Sequence, residues 1–172
     1  GRILLRELTK LFPRAKIMLH YTTPWECLVA VQLSAQCTDK KVNEITPQLF
    51  QRYRTLDDYR TAKPKEFERY IFSSGFYRNK TKNILAAADY LHRVHGGVMP
   101  RTMEEMLLIP GVARKTANVV LGAVYGVVEG IAVDTHVFRL ARQWGLSKSS
   151  TPEGVERDLM SIFPRRSWYA LT

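Results

Sequence analysis

Apolar residues recur along most of this chain at intervals of three and four, the spacing that places them on one face of an α-helix. Such stripes are formed by Val42, Ile45, Leu49 and Phe50, by Ile84, Leu85, Ala88 and Leu91, by Val137, Leu140, Ala141 and Trp144, and by Val155, Leu159, Ile162 and Phe163. Alternation of apolar and polar residues between turn residues, which is typical of β-strands, is hard to find anywhere in the sequence. The pattern therefore predicts an all-α fold.

Residues that begin and end helices separate these stripes. Thr23, Pro24 and Glu26 form the pattern of a capping box, which opens a helix through the apolar run that reaches Leu33. Further starts are predicted at Thr38, Thr55, Pro64, Thr102 and Thr151, and ends are predicted at Gly75 and Gly96. Pro47 lies inside the second of these helices and is expected to kink or end it.

Length and charge narrow the class of protein. The 172 residues are enough for one generous domain or two small lobes with a buried core. Lys and Arg total 26 against 16 Asp and Glu, so the formal charge is +10 and the pI is about 9.8. This balance favours a polyanionic partner such as nucleic acid or an anionic membrane surface. No apolar stretch is long enough to cross a bilayer, so the sequence predicts no membrane span.

The cysteines and the chain ends bear on the cellular compartment and on whether the chain is a fragment. Cys27 and Cys37 lie on segments that are predicted to be buried, and no signal peptide precedes them, so a reducing compartment fits best. The chain begins at Gly1 without a methionine and ends at Thr172, where another helix is predicted to start. We therefore expect a fragment.

A tight turn is predicted at Ile109-Pro110-Gly111-Val112, because proline presets the first central residue of a type II turn and glycine accepts the positive φ of the second. A new helix begins near Ala113, and its unpaired backbone N–H groups suit a phosphate oxygen. The alternative is a simple corner between two helices.

Lys115 falls in the first turn of that helix, beside Arg114. The positive end of the helix dipole and the neighbouring guanidinium both disfavour a charged ammonium there. An uncharged lysine is a nucleophile, so one interpretation is covalent catalysis. The other is a cation that grips a phosphate and needs no such activation.

Asp134 lies where an apolar run meets a new helix, in the stretch IAVDTHVFRL. Its ordinary role there is to cap the helix, and a carboxylate can also stabilise positive charge on a sugar while a glycosidic bond breaks. One residue can do both. His136 could carry a proton, contact a phosphate or pack within the helix.

Metal ligation is not predicted. His92 and His95 share a helix face, but no cysteine or carboxylate cluster accompanies them, so we interpret both as surface residues.

Taken together, LIPGVARKTANVVLGAVYG and GIAVDTHVFRLAR are similar to the signature of the endonuclease III family of helix-hairpin-helix DNA glycosylases. TPWECLVAVQLSAQCTDKKVN resembles the early buried helix and loop of that family, and GFYRNKTKNI resembles its DNA-inserting loop. The resemblance implies two helical lobes with a DNA-binding cleft between them. Residues 21–126 would form a six-helix barrel with the hairpin, and residues 1–20 with 127–172 a second lobe that is incomplete at its C-terminal end.

The resemblance also implies a reaction. The protein would be a base excision repair glycosylase with AP lyase activity, acting as a monomer on double-stranded DNA that contains damaged bases, by family habit oxidised pyrimidines, or abasic sites. Lys115 would form a Schiff base with the sugar, Asp134 from the facing lobe would stabilise the cationic sugar, and β-elimination would nick the strand. The alternatives are a weakly active or non-catalytic DNA-binding fragment, and an enzyme that removes bases without nicking.

Other positions take roles by their match to the family. Gln36 and Phe76 would fill the gap that an extruded nucleotide leaves, although Phe76 could instead anchor its loop in the core. Asp39 would line the lesion pocket, or simply start a helix as a carboxylate. The backbone of DNA would be contacted by Gly111, Val112, Ala113, Arg114 and His136.

Two features depart from the family pattern. Ala113 stands where glycine is usual, and its methyl group could crowd a phosphate and weaken DNA binding modestly. Many relatives also carry a four-cysteine loop with a [4Fe-4S] cluster. Cys27 and Cys37 match neither its spacing nor its place, so we expect no cofactor in this chain, and the cluster would need cysteines beyond Thr172. The expected location is on DNA in a bacterial or archaeal cytoplasm, or in a eukaryotic nucleus or mitochondrion.

Overall fold

A computed structural model describes residues 2–13 and 17–171 of the chain. Within these residues the regular structure is helical and no strand is present, which confirms the all-α prediction. The part of the chain that the structure describes has ten α-helices, in the order α1 Arg2–Leu11, α2 Pro24–Ser34, α3 Asp39–Arg52, α4 Leu56–Arg60, α5 Pro64–Ile71, α6 Tyr77–His95, α7 Met103–Leu107, α8 Arg114–Val120, α9 Thr135–Gln143 and α10 Pro152–Ile162. Short 3-10 turns at Phe72–Ser74, Arg165–Ser167 and Tyr169–Leu171 and a π-helical turn at Leu121–Tyr125 complete the order.

Local capping explains where several helices begin. At α2, Thr23 Oγ1 accepts a hydrogen bond from the Glu26 backbone N–H at 3.1 Å, and Glu26 Oε2 accepts one from the Thr23 N–H at 3.3 Å. This reciprocal pair satisfies two of the N–H groups that a helix start leaves unpaired. Thr55 and Asp58 form the same capping box at α4. The capping box predicted at α2 is confirmed, and α4 begins after Thr55, where the sequence predicted a helix start.

Pro47 does not end α3, which continues from Asp39 to Arg52. A proline removes one hydrogen bond inside a helix, so something else must hold the helix together at that point. The apolar stripe does so, because Val42, Ile45 and Leu49 are buried on one face while Pro47 is exposed. The sequence predicted that Pro47 would kink or end this helix, and of these two alternatives the ending is wrong, since burial outweighs the missing bond.

Two compact units divide the chain: Met18–Thr116, called here the central unit, and Gly1–Ile17 with Ala117–Thr172, called the terminal unit. In the central unit α2 contacts α3 and α6, and α6 contacts α4 and α5. The segment Cys27–Leu33 of α2 is entirely buried. Tyr53, Tyr59 and Phe67 pack ring against ring beside it, with centroids 5.2 to 5.8 Å apart. Each such ring removes a large apolar area from water.

The terminal unit has its own apolar core, in which α9 packs against α10. Its buried residues are Ile131, Val133, Ala141, Val155, Leu159 and Phe163, with Leu4 and Leu5 of α1 packed against them. All three residues of the segment Ile131–Val133 are buried, so packing in this core fixes the segment. It leads directly to the start of α9.

Candidate active site and nucleic-acid interface

The Pro-Gly turn between α7 and α8 has the geometry that its sequence predicts. The Val112 N–H donates to the Ile109 carbonyl at 3.1 Å, and Gly111 has a φ of +75°, as the second central residue of a type II turn requires. Ile109 and Val112 are buried, whereas Gly111 is exposed. The apolar residues thus anchor the turn in the central unit and leave its tip in solvent.

Two residues that the sequence analysis did not identify support this turn. Gln32 Nε2 donates to the Pro110 carbonyl at 3.0 Å, and Asn83 of α6 lies against Gly111. A Cβ atom at position 111 would come within 2.7 Å of Asn83 Cβ and 2.9 Å of Gln32 Nε2. Glycine is therefore required by space as well as by φ. A sequence signal for Gln32 existed, because it is the one polar side chain in the buried run of α2.

Lys115 lies in the first turn of α8, and its side chain is exposed. Arg114, the first residue of the helix, is half-buried, and Ala113 just before it is exposed. The basic pair thus stands at the helix start that the sequence predicted, on the solvent side of the turn.

A buried polar pair fixes α8 further along. Asn118 Nδ2 donates to Glu156 Oε1 of α10 at 2.9 Å, and both side chains are buried. The same carboxylate oxygen lies against Gly130, where a Cβ atom would collide with it. Within the terminal unit, Glu156 therefore joins Asn118 to the segment that precedes Asp134. The sequence analysis missed this pair, since the two residues are 38 positions apart.

Asp134 is the N-cap of α9, and its Oδ1 accepts a hydrogen bond from the Val137 N–H at 2.8 Å. The predicted capping role is confirmed. The side chain is half-buried, and within the described residues Oδ2 accepts no hydrogen bond. One carboxylate oxygen thus holds the helix start while the other remains available to a ligand.

His136 is exposed in the first turn of α9, so the interpretation of a packed core histidine is wrong. Asp39 is the exposed first residue of α3, next to the N-cap Thr38, whose Oγ1 accepts from the Lys41 N–H at 3.2 Å. A carboxylate in this place is favourable to the helix whatever else it does.

Gln36 and Phe76 share an uncommon backbone conformation. Among the described residues, they are the two non-glycine residues with positive φ, at +53° and +47°. The left-handed region costs such residues about 1–3 kcal/mol, and it is tolerated mainly where a site requires it. Both side chains are exposed, Phe76 by 66%. The interpretation of Phe76 as a core anchor is therefore wrong.

The cysteines do not fit an iron–sulfur cluster. Such a cluster takes four thiolates, and the sequence has two cysteines, of which Cys27 is buried and Cys37 half-buried. Burial raises the pKa of the Cys27 thiol to about 12, which opposes the thiolate that metal binding needs. Across residues 2–13 and 17–171 no group of three or more His, Cys, Asp or Glu side chains could hold a metal ion. The described helices also include none with the length and apolarity to span a membrane.

Comparison with known proteins identifies relatives along most of the chain. Residues 29–165 match the HhH-GPD superfamily of base excision DNA repair proteins. Endonuclease III of Synechocystis sp. is 49% identical over 161 residues, which cover 94% of this chain and 74% of that protein. Endonuclease III of Bacillus subtilis is 43% identical over 166 residues, with coverage of 95% and 75%. A solved structure of a trapped endonuclease III–DNA covalent intermediate, an estranged-adenine complex, is 43% identical and superposes with a TM-score of 0.95, covering 99% of this chain and 80% of that one.

Proposed function

The chain belongs to the endonuclease III family of HhH-GPD base excision DNA repair proteins, and from this premise we propose that it is a DNA glycosylase with AP lyase activity in which Lys115 is the nucleophile. One observation carries the proposal. Lys115 stands exposed in the first turn after the Pro-Gly hairpin, in a chain similar over 99% of its length to an endonuclease III trapped covalently on DNA. The expected helix-hairpin-helix glycosylase fold is confirmed by the same likeness.

The first step is extrusion of the damaged nucleotide, because a base inside a duplex cannot be reached. Extrusion costs a few kcal/mol of stacking and pairing energy, and a lesion lowers that cost. We assign Phe76 and Gln36 to the gap that remains. Both are exposed on left-handed backbone, so their side chains project from loops and not from packed helix faces. An apolar wedge between base steps then keeps the duplex open.

In the second step the lone pair of Lys115 Nζ attacks C1′ of the extruded deoxyribose, and the bond from C1′ to the base breaks. The electron pair of that bond leaves with the base, which takes up a proton. Positive charge develops on the sugar meanwhile, and a carboxylate stabilises it. We assign this role to Asp134, whose Oδ1 is held by the α9 cap and whose Oδ2 accepts no hydrogen bond from the described residues.

In the third step Nζ, which has lost a proton to water, uses its lone pair to break the bond from C1′ to O4′. O4′ takes up a proton from water, and an iminium joins Lys115 to C1′. The iminium acidifies the protons on C2′, and loss of one of them expels the 3′ phosphate by β-elimination. The strand is nicked on the 3′ side of the abasic site, and hydrolysis of the imine releases the lysine. A pre-formed abasic site enters the same sequence without the base-release step.

The remaining predicted residues position the DNA. We propose that backbone groups of Gly111, Val112 and Ala113 contact one phosphate. Arg114 and His136 contact the DNA backbone nearby through their N–H groups. Asp39 lines the lesion pocket. The contacts of Gln32 and Asn83 with the hairpin favour this assignment, because groups that position a duplex must themselves be rigid. We propose oxidised pyrimidines in double-stranded DNA as the substrate class. The proposed location of the enzyme is on the DNA of the cell.

Borohydride trapping tests the proposal directly, since it reduces the iminium to a stable amine. The protein is incubated with abasic-site duplex and with duplex carrying an oxidised pyrimidine, and adducts and nicks are read from one denaturing gel. Wild type is expected to form an adduct and to nick. Lys115→Ala is expected to lose both, with a fall of about 1000-fold or more in strand cleavage. Lys65→Ala, an exposed lysine in the first turn of α5, is the matched control and should behave as wild type.

The outcomes separate three functions. An adduct that disappears in Lys115→Ala supports the lyase. Base release without adduct or nick would indicate an enzyme that only removes bases. Salt-sensitive binding without any chemistry would indicate a DNA-binding module, and either of the last two results contradicts the proposal.

A further inference from the structure

Lys80 lies on α6, one turn after Phe76, and its side chain is 6% exposed. Lysine is rarely buried to this extent unless an acidic partner compensates the charge. Within the described residues no carboxylate pairs with it; its partners are two backbone carbonyls. Burial also lowers the pKa of Lys80 from its ordinary value. A group this unfavourable in the interior needs a structural or functional reason.

The two carbonyls lie just before the loops that carry Gln36 and Phe76. Lys80 Nζ donates to the Leu33 carbonyl at 2.8 Å and to the Ser74 carbonyl at 2.8 Å. Leu33 is in the last turn of α2, where carbonyls lack a partner inside the helix, and it precedes Gln36 by three positions. Ser74 ends the 3-10 turn and precedes Phe76 by two positions. One ammonium group therefore bonds to both segments.

The backbone N–H of Lys80 donates to the Phe76 carbonyl at 3.1 Å, which is the ordinary helical bond of the first turn of α6 and does not depend on the lysine side chain. Neither Gln36 nor Phe76 is held by burial of its own side chain, since both are exposed. Residues in the left-handed region persist only where the surrounding structure determines their backbone. The two bonds from Lys80 Nζ, to the carbonyls of Leu33 and Ser74, fix the backbone just before Gln36 and Phe76 through one side chain.

We propose that Lys80 is a positioning residue of the glycosylase reaction: it fixes the spacing between the Gln36 loop and the Phe76 loop, so that both side chains fill the same gap in the DNA. The inference rests on the function proposed above, and it adds a residue that does not itself touch the reacting atoms. It acts at the extrusion step. Once a sugar has no base, the unpairing and unstacking that the loops assist are largely unnecessary.

We therefore predict that removing the ammonium group slows base release much more than it slows cleavage of an abasic site. Lys80→Met keeps the length of the side chain and removes the ammonium group, so single-turnover release of an oxidised pyrimidine should slow by about 10- to 100-fold, as for a small misplacement of substrate-positioning groups. Cleavage of a pre-formed abasic site should fall by less than about threefold, because extrusion no longer limits it. Lys80→Arg, which keeps charged N–H donors, should recover part of the lost base-release rate. Lys65→Met, at an exposed lysine of α5, should match wild type in both assays.

Equal losses on both substrates would overturn the proposal, because they would indicate general damage to the fold. So would an unchanged rate of base release. If Lys80→Met does not fold, the ratio of the two rates is measured on Lys80→Gln and Lys80→Arg, and the glutamine variant must show the larger selective loss.

Amide hydrogen exchange without DNA tests the same bonds independently of catalysis. Exchange at residues 34–38 and 73–77 should rise together in Lys80→Met and stay unchanged in Lys65→Met. A rise in one segment alone contradicts the proposal that Lys80 holds both segments. A wild type that lacks excision contradicts the proposed function, whereas an unchanged exchange pattern contradicts this inference alone.

Discussion

At the scale of single residues, buried polar side chains hold the loops of the central unit. Gln32 bonds to the Pro110 carbonyl, and Lys80 bonds to the carbonyls of Leu33 and Ser74. A buried hydrogen bond contributes about 0.5–1.5 kcal/mol net, but a carbonyl left without its partner costs about 1–3 kcal/mol. These side chains therefore make alternative loop conformations costly.

Cys27 gives a prediction on pH. Its thiol is fully buried in α2, and desolvation raises its pKa from 9.0 to about 12. The unfolded chain loses this proton near pH 9 while the folded chain keeps it, so stability present below pH 9 is lost as the pH rises towards 12. Between pH about 8 and about 10.5, wild type should lose about 2 kcal/mol more of unfolding free energy than Cys27→Ala.

Urea unfolding at the two pH values measures this difference. The change in unfolding free energy between the two pH values is compared in the two proteins. Any cavity that the alanine creates lowers stability equally at both pH values, so it does not affect this change. Parallel loss of stability in the two proteins would show that Cys27 does not titrate as described.

At the scale of elements, the hairpin between α7 and α8 depends on contacts from two other helices. Gly111→Ala should destabilise the protein by about 1–2 kcal/mol through its left-handed φ, and by about 1–3 kcal/mol more through collision with Asn83 and Gln32. Gly96→Ala is the matched control, because Gly96 has a φ of +58° and an added Cβ atom there would meet nothing within 4 Å. It should show only the first cost.

Thermal unfolding and duplex DNA binding distinguish the two variants. Gly111→Ala should lose both stability and affinity, since the turn must shift, whereas Gly96→Ala should keep wild-type affinity. Equal DNA affinity of the two variants would show that the hairpin does not contact the DNA.

At the scale of the whole molecule, the formal charge of +10 predicts binding dominated by phosphate contacts. Affinity for undamaged duplex should fall by about 100-fold between about 50 and about 200 mM salt, which corresponds to the release of about four counterions. Fluorescence anisotropy at several salt concentrations gives the slope. Arg114→Ala should lower the slope by about one, while Lys65→Ala should leave it unchanged. A nearly flat salt dependence would contradict a phosphate-based interface.

The local parts of this protein could be predicted from the sequence because their causes are local. Capping at Thr23 and Thr55 and the Asp134 cap of α9 involve hydrogen bonds that span three positions. The turn at Pro110 and Gly111 follows from the φ preferences of those two residues alone. The family likewise follows from contiguous motifs, and the comparisons confirm it.

Only the tertiary structure decided which distant residues support these motifs. The bond from Gln32 to Pro110 spans 78 positions and the bond from Lys80 to Leu33 spans 47, and helical periodicity says nothing about which helices meet. Packing likewise kept α3 intact at Pro47 and left Phe76 in solvent. Hydrophobic spacing determines that a face will be buried, whereas the neighbour that covers it is set by the packing of the whole unit.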